Sequence, residues 1–228
     1  MIWSLEFDIC ALVVCLLFII YSYNERNLPI RRNLIFLCLL FIQFFLTLFD
    51  ILGSVIASYY QIFPISLIYA VNIVYYITLA FSPMVFCVYC YHLITEDRIN
   101  YKVLTILNVP AITLSLIALF SPINHYIFRI NELGMFEYGP GRISMYYEAV
   151  FYMIISVGFI IYNPKKVLTK RYFYSLSFYI AITIITFTIQ FWFIGYMQTV
   201  PFGIVCGITT IFLAFQSPFY YRDSYTNL

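Results

Sequence analysis

The side chains with most to explain are acids and amides set inside apolar runs: Asp8, Asp50 and Glu148, with Gln43, Asn72, Asn108 and Gln190. A carboxylate near the centre of a bilayer costs about 2.5 to 3.5 kcal/mol on insertion scales, so each marks either a function or a structural pairing. Threading the apolar runs with alternating direction puts Asp8, Asp50, Asn72, Glu148 and Gln190 in one half of the layer, the outer half. Tyr69, Tyr75, Tyr146 and Tyr147 fall at similar depth. This pattern predicts an outward-opening pocket in which Asp50, Asn72, Glu148, Gln190, Tyr69 and Tyr147 contact a small ligand. The competing reading is that the same groups hydrogen-bond to one another between helices, an interaction worth about 0.6 kcal/mol on average that favours one packing. Sequence leaves both open. A proton relay would carry carboxylates or histidines on into the inner half, which is almost bare apart from amides.

Other chemistries are poorly supplied. Cys87-Val-Tyr-Cys90 with His92 has a metal-like spacing, yet a zinc site needs four ligands and none completes the set. His92 and His125 fall toward opposite faces of the layer and cannot both ligate one haem. A retinal Schiff base needs a lysine inside a span, and Lys102, Lys165, Lys166 and Lys170 lie in or beside connections. Nucleophile, base and orienting group do not converge, and there is no phosphate-binding glycine loop. The expectation is therefore no catalytic residue, no metal and no cofactor. The six cysteines sit in apolar segments as small hydrophobes and are expected to be reduced. Gly203 and Gly207 form a G-x-x-x-G stripe that lets two helix backbones approach closely, either within one bundle or between two copies of the chain.

The elements that must position these residues are apolar helices. Of 228 residues 64% are hydrophobic and only 10% charged, too few charges to cover a soluble domain of this length. The formal net charge of +2 is small and argues neither for a nucleic-acid partner, which is not expected, nor for a strongly basic surface. Runs of about twenty apolar residues, enough to cross a hydrocarbon layer of about 30 Å, recur along the chain. They predict an all-α membrane protein, a bundle of seven transmembrane helices at Phe7–Tyr23, Asn33–Ser58, Ile65–Leu93, Lys102–Phe120, Ile143–Tyr162, Tyr172–Gly195 and Thr199–Gln216. Met1 to Asp8 carries no Lys or Arg, and no small-residue cleavage site follows, so the first run reads as a span rather than a cleaved signal. Lys and Arg accumulate on the cytoplasmic side. Arg26, Arg31 and Arg32, then Arg98 and Lys102, then Lys165, Lys166, Lys170 and Arg171, and finally Arg222 mark alternate connections, against only Arg129 and Arg142 on the other side. The N-terminus is thus expected outside and the C-terminus in the cytoplasm.

The one long outer connection, 121–142, alternates Tyr126, Phe128 and Ile130, turns through Asn131 to Gly134, and alternates again at Phe136 and Tyr138. That predicts a small extracellular β-hairpin between spans 4 and 5, either a cap on the bundle or a lid over a ligand. Pro83 is expected to kink the third span. The prolines do not pair up as in repeat-built transporters.

After Gln216-Ser-Pro218 the chain reads Phe-Tyr-Tyr-Arg-Asp223-Ser-Tyr-Thr-Asn-Leu228. Asp223, Thr226 and Leu228, with Tyr225 where an aliphatic residue is usual, resemble the D-x-L-T-x-L motif that opens GGDEF domains, the diguanylate cyclase fold. The body, with Asn27-Leu-Pro-Ile-Arg-Arg32, Leu48-Phe-Asp50 and a hairpin ending Tyr138-Gly-Pro140, is similar to amino-terminal membrane sensor regions ahead of GGDEF domains in anaerobic Gram-positive bacteria. In plan it is also similar to the seven-span sensor regions of some histidine kinases. The resemblance implies a sensor domain over 1–218 in a bacterial plasma membrane and, from 219 to 228, the start of a truncated cytoplasmic output domain. That domain would join two GTP molecules into cyclic di-GMP as a dimer; none of its catalytic or nucleotide-binding residues lies in this chain, and Tyr225 leaves room for an inactive form. The expected partners are the lipid bilayer, a small ligand, the output domain of the same chain and a second copy. The alternative is a small multi-pass transporter or channel using the same polar residues as a pathway.

Overall fold

The computed structural model describes residues 5–24, 30–95, 100–132, 134–162, 170–192 and 199–216. Arg26, Arg98, Lys165, Lys166 and Arg222, on which much of the expected orientation rests, lie outside the described residues, as do the tail from 217 and its expected domain boundary.

From the N-terminus run α1 (Glu6–Asn24), α2 (Ile30–Ser58), α3 (Ile65–Thr95), α4 (Tyr101–Leu119) and the single turn α5 (Ser121–Asn124). Strands β1 (Phe128–Ile130) and β2 (Phe136–Tyr138) follow, then α6 (Ile143–Tyr162), α7 (Lys170–Trp192) and α8 (Val200–Ile211). Six of these helices, α1 to α4, α6 and α7, are long and apolar enough to cross a membrane. Their outward faces suit lipid rather than water: Leu17, Ile106, Ile154 and Ile161 all stand exposed. The chain is therefore a largely helical, multi-pass architecture. Where a seventh full-length span was expected, α8 has 12 residues, about 18 Å of rise, before it widens into a π-helical turn at Phe212–Gln216.

Central α3 packs against α2, α4 and α6; α1 packs on α2 and α8, and α7 pairs with α8. Between lipid-like surroundings and apolar helices there is no hydrophobic gain, so close packing and hydrogen bonds must hold these pairs. Gly203 and Gly207 supply the close packing. A Cβ on Gly203 would come within 2.3 Å of Thr186, and one on Gly207 within 2.6 Å of Tyr179, so the stripe faces α7 inside the same chain. Phe36, Leu39, Leu40, Phe86, Ile208 and Phe212 belong to one buried, largely apolar cluster.

Hydrogen bonds join other helices. Pro110 removes an N–H from the ladder of α4. Beside it the Tyr152 hydroxyl of α6 donates to the Leu107 carbonyl at 2.5 Å and accepts from the Ala111 N–H at 3.3 Å. Pro83 also lies inside a helix, α3.

The hairpin pairs Phe128 with Tyr138, Arg129 with Glu137 and Ile130 with Phe136, antiparallel. Its turn takes Gly134 to φ +84°, with the Gly134 N–H donating to the Asn131 carbonyl and the Met135 N–H to Asn131 Oδ1, both at 2.9 Å. Phe128 anchors it, stacking on Tyr76 of α3 at 5.3 Å and packing with Ala118 of α4 and Met145 of α6.

Candidate functional site

The polar side chains of α2 fall on one face. Gln43, Thr47, Asp50 and Ser54 follow one another at steps of four, three and four residues, the spacing that repeats every turn of helix, and all four are buried. Gln43 Nε2 donates to the Pro201 carbonyl of α8 at 3.2 Å and Thr47 Oγ1 to the Gln43 carbonyl at 2.9 Å, whereas Gln43 Oε1 and Asp50 Oδ2 have no hydrogen-bond partner. From α1, Asp8 reaches the same region. It is 0% exposed, neither of its oxygens is hydrogen-bonded, and its charge bears directly on Asp50.

Asp50 opens into a cavity of about 80 Å³. α2 also contributes Gly53 and Ala57 to its wall, and α3 contributes Asn72, Tyr75 and Tyr76. The hairpin adds Phe136 and Tyr138, the turn just before α6 adds Arg142, α6 adds Tyr146, and α7 and α8 add Gln190 and Val200. Thus the hairpin expected as a cap or a lid lines the cavity. Arg142 is held by aromatic groups: its guanidinium sits 3.6 Å above the Tyr138 ring and donates through Nη2 to the Tyr146 hydroxyl at 2.9 Å. Burial raises the Tyr138 phenol above its ordinary value, with the Arg142 charge pulling the other way, so the ring remains a neutral donor.

Of the six ligand-site residues expected from sequence, three meet here: Asp50, Asn72 and Gln190. Asn72 and Gln190 also serve the fold. The Asn72 amide donates to the Ile68 carbonyl at 2.8 Å, and Gln190 Oε1 accepts from the N–H groups of Thr199 and Val200, capping the start of α8. The other three go elsewhere. The Tyr69 hydroxyl accepts from the Ile130 N–H at 3.3 Å and so fastens the hairpin to α3. Glu148 is buried one turn from Tyr152, on the side of α6 that carries the α4 contact, with Oε1 unpartnered. Tyr147 is exposed and lines a separate apolar groove of about 290 Å³ between α6 and α7. Tyr146 and Phe187, in edge-to-face contact at 5.6 Å, form the wall common to that groove and the cavity.

Sequence reasoning left out Arg142, Tyr138 and Phe136 as site residues. The available signal was Arg142 itself, a basic residue on the side otherwise nearly free of them. Among the described residues no group of three or more His, Cys, Asp and Glu is arranged to hold a metal ion. No protein-family model, curated protein or solved structure matches this chain.

Proposed function

We propose that the chain is a seven-span sensory input module of a bacterial plasma membrane. Its N-terminus and hairpin face outward, its outer cavity takes a small ligand, and α8 acts as the seventh span leading to a cytoplasmic GGDEF output domain beyond Pro218. One observation carries this reading: a polar cavity lined by the hairpin stands beside a buried, largely apolar cluster that includes Phe36, Leu39, Leu40 and Phe212. A site that ends on an apolar cluster suits binding better than passage, which favours a sensor over a transporter or channel.

The route inward is α8. Val200 at its start lines the cavity and is capped by Gln190, while Phe212 at its far end stacks on Phe18 at 4.5 Å and meets Tyr21 edge-on at 5.1 Å. A ligand that prefers one arrangement of these contacts shifts the population toward it, by no more than its differential affinity for the two. The stripe of Gly203 and Gly207 belongs to the α7 contact, so a dimer of the output domain would be joined elsewhere.

The test uses the reading frame as it continues past Leu228 in the gene. Asp50→Leu is expected to change the cyclic di-GMP level of cells expressing the protein at unchanged abundance. Glu148→Leu, away from the cavity, should leave output per molecule as it was. If Asp50→Leu alters only abundance, or if the frame encodes no GGDEF domain, the reading fails.

A further inference from the structure

From the two ends of the cavity we infer that its ligand is a small zwitterion carrying an ammonium and a carboxylate, of amino-acid size; this rests on the reading of the cavity as the ligand site. At one end stands Asp50, with Asp8 bearing on it. Asp50 Oδ2 and both oxygens of Asp8 behind it are buried without a hydrogen-bond partner, and among the described residues neither acid forms an ion pair. Two buried carboxyl groups that bear on each other carry charge only at high cost unless a cation and hydrogen-bond donors reach them. A ligand ammonium supplies both, with three N–H groups.

The other end is the reverse. Arg142 brings a fixed positive charge and five N–H donors, of which one is spent on Tyr146. Its planar group suits a carboxylate, which it can engage with two parallel hydrogen bonds. Arg142 and Asp50 line the same cavity yet do not pair with each other. An acid and a base that line one cavity without pairing match a ligand that carries the complementary pair and is neutral as a whole, so that it enters a low-dielectric site without bringing net charge. Tyr75, Tyr76 and Phe136 also line the cavity and offer apolar surface to its short body. Size sets the upper limit. A water needs about 10–15 Å³ of such volume, so the 80 Å³ present holds roughly five to eight non-hydrogen atoms.

Calorimetric titration of the purified chain tests this with glycine, L-alanine and L-serine, and with propionate and propylamine as half-ligands. At least one amino acid should bind, and each half-ligand at least tenfold more weakly, because each leaves one buried charge unanswered. Asp50→Asn and Arg142→Gln should each weaken the amino acid at least tenfold. The unsubstituted chain alone decides the class if either variant fails to fold. A half-ligand that binds as tightly as the amino acids overturns the zwitterion while keeping the cavity as a ligand site. If no amino acid binds, the inference fails. Ala57→Cys, on the cavity wall, then separates the two claims: protection from a water-soluble thiol reagent by a half-ligand keeps the site, and protection by none of the five removes it.

Discussion

At Tyr152 one hydroxyl inserts into the backbone ladder of α4 beside Pro110. It bridges the Leu107 carbonyl and the Ala111 N–H across the turn that Pro110 interrupts, and it does so fully buried. Tyr152→Phe should therefore cost about 1–3 kcal/mol of stability, because it strands buried backbone groups, as read by thermal unfolding in detergent. Ligand affinity should not change, since Tyr152 does not line the cavity. At this scale the sequence was only partly legible. Asp50, Asn72 and Gln190 could be placed by depth in the layer, because a helix fixes height along its axis. Glu148 and Tyr147 sit at the right depth on the wrong sides of α6, since the direction in which a helix faces is set by neighbours that one sequence does not specify. Gln190 carries a second message that depth could not reveal, as its carbonyl caps the start of a helix ten residues on.

Among the elements, the hairpin is held by a local charge network. The Glu137 carboxylate accepts from Asn131 Nδ2 at 3.0 Å and from Arg129, which together hold its pKa below the ordinary glutamate value. The sign follows from that direction: a lowered folded-state pKa gives stability that is present above the ordinary value and lost as pH falls through the lowered one. Protection of the hairpin amides from exchange, relative to the intrinsic rate, should fall as pH drops into that acid range, and no such fall is expected in Glu137→Gln; matching protection profiles in the two proteins would rule the network out. Packing of α7 on α8 offers a sharper contrast. Gly203→Ala should destabilise by about 1–3 kcal/mol through overpacking against Thr186, whereas Gly158→Ala, with nothing within 4 Å of its added carbon, should be close to neutral or slightly stabilising. Equal effects in a chemical unfolding series would mean that the stripe is not tightly packed. The G-x-x-x-G spacing showed that two backbones come close; which backbone is the partner depended on α7 folding back beside α8. The hairpin was the most legible element, because alternation on both arms and a glycine at the positive-φ position are local signals.

Across the whole molecule, apolar length and lipid-suited faces define the bundle, while charge asymmetry between its connections sets the proposed orientation. Glu132, exposed on the hairpin turn, gives a direct reading of it. In intact cells Glu132→Cys should react with a membrane-impermeant maleimide, and reaction only after the cells are opened would invert the topology. α8 runs 12 residues before the helix widens at Phe212–Gln216, a boundary that sequence does not mark because hydropathy continues smoothly through it. The separation of the cavity from the apolar cluster was visible only in part: carboxylates could be listed by depth, but the contact of Phe36 with Phe212 joins residues far apart in the chain. The account's central claim is that this molecule binds at the outer cavity and does not conduct. Sealed vesicles containing the protein, given outside the labelled amino acid that binds the purified chain, test it most directly. Saturable binding that levels off near one molecule per chain and weakens at least tenfold in Asp50→Asn is predicted. Label that keeps accumulating in the lumen, or counts no higher than in vesicles without the protein, would contradict it.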